Sequence, residues 1–115
     1  MQVGIYLFDE VEVLDFAGPF EVFSTAARLA QRDGLEPPFE VHTLGPSLAP
    51  VRARAGLLVT PQHSTSEHPP LDVLIVPGGV VAAELQRPAL SDWLVVQSCH
   101  VKVLASICTG AFLLE

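Results

Sequence analysis

LDVLIVPGG, Leu71 to Gly79, is the stretch on which the fold turns. Four aliphatic residues, Val73 to Val76, follow one another with no polar alternation. A strand of that kind is covered on both faces, which is the mark of a parallel sheet. Pro77-Gly78-Gly79 then forces a tight turn. Downstream, Val80 to Leu85 reads as a helical turn and Pro88 to Gln97 as a helix. Pro88 stands at its start, with Leu90, Trp93 and Leu94 on one face. His100 to Ile107 is the next strand, and a helical pattern resumes at Thr109.

Upstream, Val3 to Phe8 is a buried opening strand rich in β-branched and aromatic residues. Leu14, Phe16, Phe20, Phe23, Ala27 and Ala30 recur at helical spacing, so Leu14 to Ala30 reads as an amphipathic helix. Gly18-Pro19 falls near its start, where the first turn tolerates proline. Asp33 to Pro38 is a loop and Phe39 to Leu44 a second strand. Val51 to Gln62 suggests short strands about Gly56, and His63 to Pro70 a polar surface connection. The α/β alternation implies a mostly parallel sheet flanked by helices, in one domain spanning residues 1–115.

Composition narrows the function. Half of the residues are hydrophobic and 17% are charged, enough to bury a core. A net charge of −7 is the wrong sign for a nucleic-acid surface. No apolar run is long enough to span a bilayer. The opening MQVGIYLFDE lacks the basic region of a secretory signal. Cys99 and Cys108 make neither a disulfide framework nor a zinc pattern, and His42, His63 and His68 are dispersed. A cytoplasmic protein with reduced thiols, no metal and no cofactor is expected.

Three places carry chemistry. Cys108 stands between a buried strand and a starting helix, with Ser106 and Gly110 two residues to either side. A nucleophile elbow is built this way, because so sharp a turn needs small neighbours. It aims the following amides at an oxyanion, and the helix end favours thiolate. A plain buried cysteine fits the same spacing. Asp15 lies in the apolar stretch LDFAGPF, where a carboxylate needs a task or a partner; capping the helix is one such task. Gly78 and Gly79 either present backbone N–H groups to a ligand or simply make the turn.

FDEVEVLDFAGPFEVF, LDVLIVPGG and ASICTGAFLL, in this order, resemble the ThiJ/PfpI family of the DJ-one superfamily, related to class I glutamine amidotransferases. The resemblance runs along the whole chain. It implies a flavodoxin-like sheet and a domain incomplete at its C-terminus, ending just after the elbow. Asp in the first helix and Cys-Thr-Gly at the elbow are most similar to the isonitrile hydratase-like branch. That implies Cys108 as nucleophile, with Asp15 hydrogen-bonded to it as proton shuttle. Gly78, Gly79 and Thr109 would then be oxyanion or substrate-binding residues. It further implies a small-molecule substrate and a homodimer. Thr109 in place of the histidine of PfpI-type proteases argues against peptidase activity. The same fold serves as the sensing half of AraC-type regulators, and an inactive remnant is the remaining expectation. Glu21 is a further residue that a turn of the helix would bring to the pocket; Cys99, His100, Arg52 and Arg54 read as surface positions.

Overall fold

The computed structural model describes residues 1–115. Five strands form a wholly parallel sheet: β1 (Gln2–Tyr6), β2 (Glu40–Gly45), β5 (His63–Ser64), β6 (Val73–Val76) and β7 (Val103–Ser106). Their order is β5-β2-β1-β6-β7, with Ile5 opposite Thr43 on one side and Ile75 on the other. A separate antiparallel hairpin joins β3 (Val51–Arg52) to β4 (Leu58–Val59). It turns through a 3₁₀ segment, Arg54–Gly56, where Ala55 and Gly56 take positive φ. The three helices are α1 (Val13–Arg32), α2 (Ala82–Leu85) and α3 (Pro88–Ser98).

The crossover β1-α1-β2 steps one way across the sheet, and β6-α3-β7 steps the other. Right-handed crossovers therefore place α1 and α3 on opposite faces. Phe16 closes the core from α1, and Leu90 and Leu94 close it from α3. Val3, Ile5, Leu7, Phe8, Leu44, Leu74 and Val76 are fully covered between them. Tyr6 lies tilted against Trp93 of α3 at 5.8 Å between ring centroids, and Phe23 of α1 meets Phe39 edge-on at 4.8 Å. Gly4 lets the two sides close: a Cβ there would stand 2.6 Å from Leu71 and 2.7 Å from Leu44.

Several elements differ from the sequence reading. Helix α1 begins at Val13, so Pro19 lies in its second turn, not its first. There it leaves the Asp15 carbonyl without its usual i+4 donor. Leu14 faces solvent, although its spacing put it on the apolar side. The connection after β4 contains a strand: His63 and Ser64 extend the sheet beside Leu44 and Gly45. The strand before the elbow is shorter than His100–Ile107, and the segment after it, Cys108–Leu114, winds as a 3₁₀ helix.

Candidate active site

Active sites of open parallel sheets lie off the carboxyl ends of the strands. Here that edge gathers the ends of β1, β6 and β7. Glu10, Val11 and Glu12, following β1, run antiparallel to Gly78-Gly79, following β6. The Glu12 N–H donates to the Gly78 carbonyl at 2.8 Å, and the Val80 N–H to the Glu10 carbonyl at 3.1 Å. Gly79, at φ 145°, has no room for a side chain against the Glu10–Glu12 backbone. The chain is thus pinned one residue before α1 starts, which fixes where Asp15 points.

Asp15 lies in the first turn of α1 and is not its cap, a place held by Glu12 without a side-chain capping bond. Its Oδ2 accepts the Gly78 N–H at 3.3 Å, across the sheet edge. The sequence offered capping as the simplest use of this carboxylate; the partner instead comes from a turn 63 residues away.

Cys108 follows β7 and has φ 52°, the left-handed region that side chains avoid. The reason is local. The Ile107 N–H is held by the Val76 carbonyl at 3.0 Å, and the Gly110 N–H by the Ile107 carbonyl at 3.0 Å. Gly110 rests directly on the Val76 and Pro77 carbonyls, where a Cβ would overlap the oxygen of Val76. The chain must reverse within one residue, and Cys108 absorbs the turn. Its thiol is exposed and makes no hydrogen bond, to Asp15 or to any other group. Cys99, also exposed and reduced, ends α3 at the opposite edge.

Thr109 ties the elbow to the glycine turn. Its Oγ1 lies 3.0 Å from both the N–H and the carbonyl oxygen of Gly79. A point 2.9 Å from Asp15 Oδ2 is also 2.9 Å from the Thr109 amide and 2.8 Å from Thr109 Oγ1: the place a Cβ on Gly78 would take. Asp15, Gly78, Gly79 and Thr109 are therefore brought together around one glycine, with Cys108 adjoining. The Gly79 N–H is already engaged by Thr109 Oγ1, so a ligand reaching it would have to displace that hydroxyl.

Other sequence candidates lie elsewhere. Glu21 is exposed on α1; bonds from Thr25 and Arg28 hold its carboxyl below the usual range. Arg54 pairs with Glu12 at 3.2 Å, and Arg52 is exposed on the hairpin. The histidines scattered in sequence are not all scattered in space. His63 Nε2 meets His42 Nδ1 at 3.2 Å, and His68 Nε2 accepts the Trp93 indole N–H at 3.1 Å. His42 donates from its other nitrogen to Gln2, and burial lowers its pKa. Sequence reasoning also missed Glu84, a carboxylate only 2% exposed. It pairs with Arg87 at 3.0 Å and accepts the Tyr6 hydroxyl at 3.4 Å. Burial raises its pKa, and burial and the neighbouring Glu84 charge raise that of Tyr6.

The DJ-1/PfpI family model matches residues 1–115. An isonitrile hydratase of Pseudomonas putida is 30% identical over 115 residues, 99% of this chain and 46% of that protein. The HTH-type transcriptional regulator GbdR of Pseudomonas aeruginosa is 30% identical over 115 residues, 97% of this chain and 29% of the regulator. The chain thus spans less than half the length of either relative. A ThiJ/PfpI family protein from Pseudomonas syringae superposes with a TM-score of 0.84 at 24% identity, over 98% of this chain and 44% of that one. An AraC family transcriptional regulator from Pseudomonas putida gives 0.76 at 23% identity, over 98% and 58%. At such identities the two structures speak to the fold alone.

Proposed function

The chain belongs to the DJ-1/PfpI family, and from that premise we propose that it carries the nucleophile half of a cysteine-dependent hydratase acting on isonitriles. The observation that carries this reading is the strained Cys108 beside the Asp15–Gly78–Thr109 cluster. A residue held at positive φ in a sharp strand-to-helix turn stands clear of the sheet, where a substrate can reach its sulfur. A carboxylate anchored two strands away supplies a proton carrier without neutralising the thiol directly.

The chemistry balances with water alone. The Cys108 thiolate adds to the terminal carbon of R–N≡C, and Asp15 delivers a proton to that carbon, giving a thioimidate. Water, deprotonated by Asp15, adds to the same carbon, and Asp15 passes that proton on to the nitrogen. Collapse of the adduct expels the thiolate, returns the hydroxyl proton to Asp15 and leaves the N-formamide. The Thr109 amide serves the charge that develops, joined by the Gly79 N–H once substrate displaces the Thr109 hydroxyl from it. Two reduced thiols suit the cytoplasm. We also propose a homodimer, supported by the exposed Leu14, Val22 and Leu29 along α1.

The test is alkylation followed by turnover. Cys108 is expected to react with iodoacetamide well ahead of Cys99 near neutral pH. An alkyl isonitrile is expected to become its formamide, and Cys108→Ala to abolish this. Equal alkylation of the two thiols would remove the nucleophile reading. A second reading, a ligand-sensing module, is favoured by the 30% identity to GbdR. A fast Cys108 with no isonitrile turnover is the result that supports it.

A further inference from the structure

The elbow sits in an uneven field. The chain has thirteen acids and six bases, and they are not evenly placed. Lys102 pairs with Asp72 at the amino ends of β7 and β6. Arg28 and Arg32 pair with Glu21 and Asp33 toward the far end of α1. Arg87 is taken up by the buried Glu84. Arg52 lies on the hairpin, its guanidinium 3.3 Å from where a Gly56 Cβ would be. Arg54, on the same hairpin, is paired with Glu12. Against it stand Glu10, Glu12 and Asp15, carried on the segment bridged to Gly78-Gly79.

We infer that the Cys108 site takes uncharged electrophiles and turns away anionic ones. Glu10 and Glu12 are specificity-determining residues that never touch the reacting atoms. The inference rests on Cys108 being the reactive group, and it extends that reading to the charge of the substrate. The physical basis is the summed field of like charges over a partly exposed site, which lowers the local concentration of an anion. Such a field reaches about 10 Å at 0.1 M salt and about 3 Å at 1 M. A carboxylate-bearing electrophile is therefore disfavoured before any contact is made. A small neutral carbon electrophile, of which an isonitrile is one, is not.

Two alkylating agents of nearly equal size test this. The full chain is treated with iodoacetamide or iodoacetate at low ionic strength, and each thiol is followed by peptide mass spectrometry. Cys99, exposed at the opposite edge, is the internal reference. The ratio of amide rate to acid rate is expected to be at least fivefold larger at Cys108 than at Cys99. It is expected to fall at least twofold in 0.5 M sodium chloride, and likewise in the double variant Glu10→Gln, Glu12→Gln. Equal ratios at the two thiols, or a Cys108 ratio unmoved by salt, would overturn the inference. The salt titration needs no variant and so does not depend on how the substituted chain folds. A Cys108 that is fast with both reagents leaves the nucleophile standing and removes only the selection by charge. A Cys108 no faster than Cys99 with iodoacetamide removes the nucleophile itself.

Discussion

Gly110 shows how much of the site depends on an atom that is not there. It lies on the carbonyls of Val76 and Pro77, and any Cβ would overlap the first oxygen. The Val76 carbonyl cannot retreat, since it also accepts the Ile107 N–H. Gly110→Ala is expected to destabilise the chain by about 2 kcal/mol or more, as overpacking against backbone does. It should also slow alkylation of Cys108, because the turn that lifts the sulfur must open. Thermal unfolding and thiol kinetics on the same variant check both; an unchanged Tm would show that the elbow relaxes freely. Gly78→Ala separates the two effects. Its Cβ meets the side chains of Thr109 and Asp15 at 2.8 and 2.9 Å, along with the Thr109 amide. The expected outcome is a chain that still folds but no longer holds Asp15 on the turn. At this scale the sequence was informative about Cys108, because small residues at fixed offsets are a local signal. It was silent on what Asp15 binds, because that partner is set by the pairing of two loops far apart in the chain.

At the scale of elements, the long apolar runs were legible and the short or polar ones were not. Strand β6 was readable because four consecutive aliphatics leave no other assignment. Strand β5 was not, since two residues, His63 and Ser64, carry no period. Helix α1 was placed to within two residues at either end, but Pro19, read as part of the first turn, falls in the second. Where the helix starts decides the cost of Pro19. With the helix running from Val13, Pro19→Ala restores an N–H to the Asp15 carbonyl and is expected to raise stability by about 1–3 kcal/mol. Chemical denaturation measures it; a loss of stability would mean that the proline ring is needed for packing.

The sheet edge has its own test. His42 ties β2 to β1 through Gln2 and to β5 through His63. Burial lowers its pKa below 6.5 in the fold, while Glu40 opposes the shift and His63 and His68 add to it. Between the two values the unfolded chain binds more protons, so stability rises with pH and levels off above about 6.5. Tm should drop between pH 7 and pH 5.5, and His42→Asn should flatten that slope. Glu84 works in the opposite sense. Its folded pKa is raised, so the stability it contributes is present below 4.5 and lost as pH climbs through the folded value. Glu84→Gln should remove that loss while leaving the His42 window in place.

Over the whole molecule, what stays uncovered matters as much as what is buried. The core was legible as a list of aliphatics, and the surface was not, because helical spacing does not say which apolar residue turns outward. Leu14 is 74% exposed, Val22 66% and Leu29 45%, all along α1. Gly18, between the first two, has open space where its Cβ would be, which lets a second helix approach closely. Glu21 and Arg28 flank this stripe with opposite charges, so a second copy laid antiparallel would set acid against base. An exposed stripe of this sort marks an association surface more often than a solvated one. Sedimentation equilibrium is expected to show a dimer, and Leu14→Glu with Val22→Glu to shift it to monomer. Both positions face solvent, so the substitutions should move the fold's own stability by no more than about 0.5 kcal/mol. A variant that stays dimeric at equal concentration would move the interface off α1, to the other exposed apolar face, where Val95, Val96, Val103 and Phe112 stand.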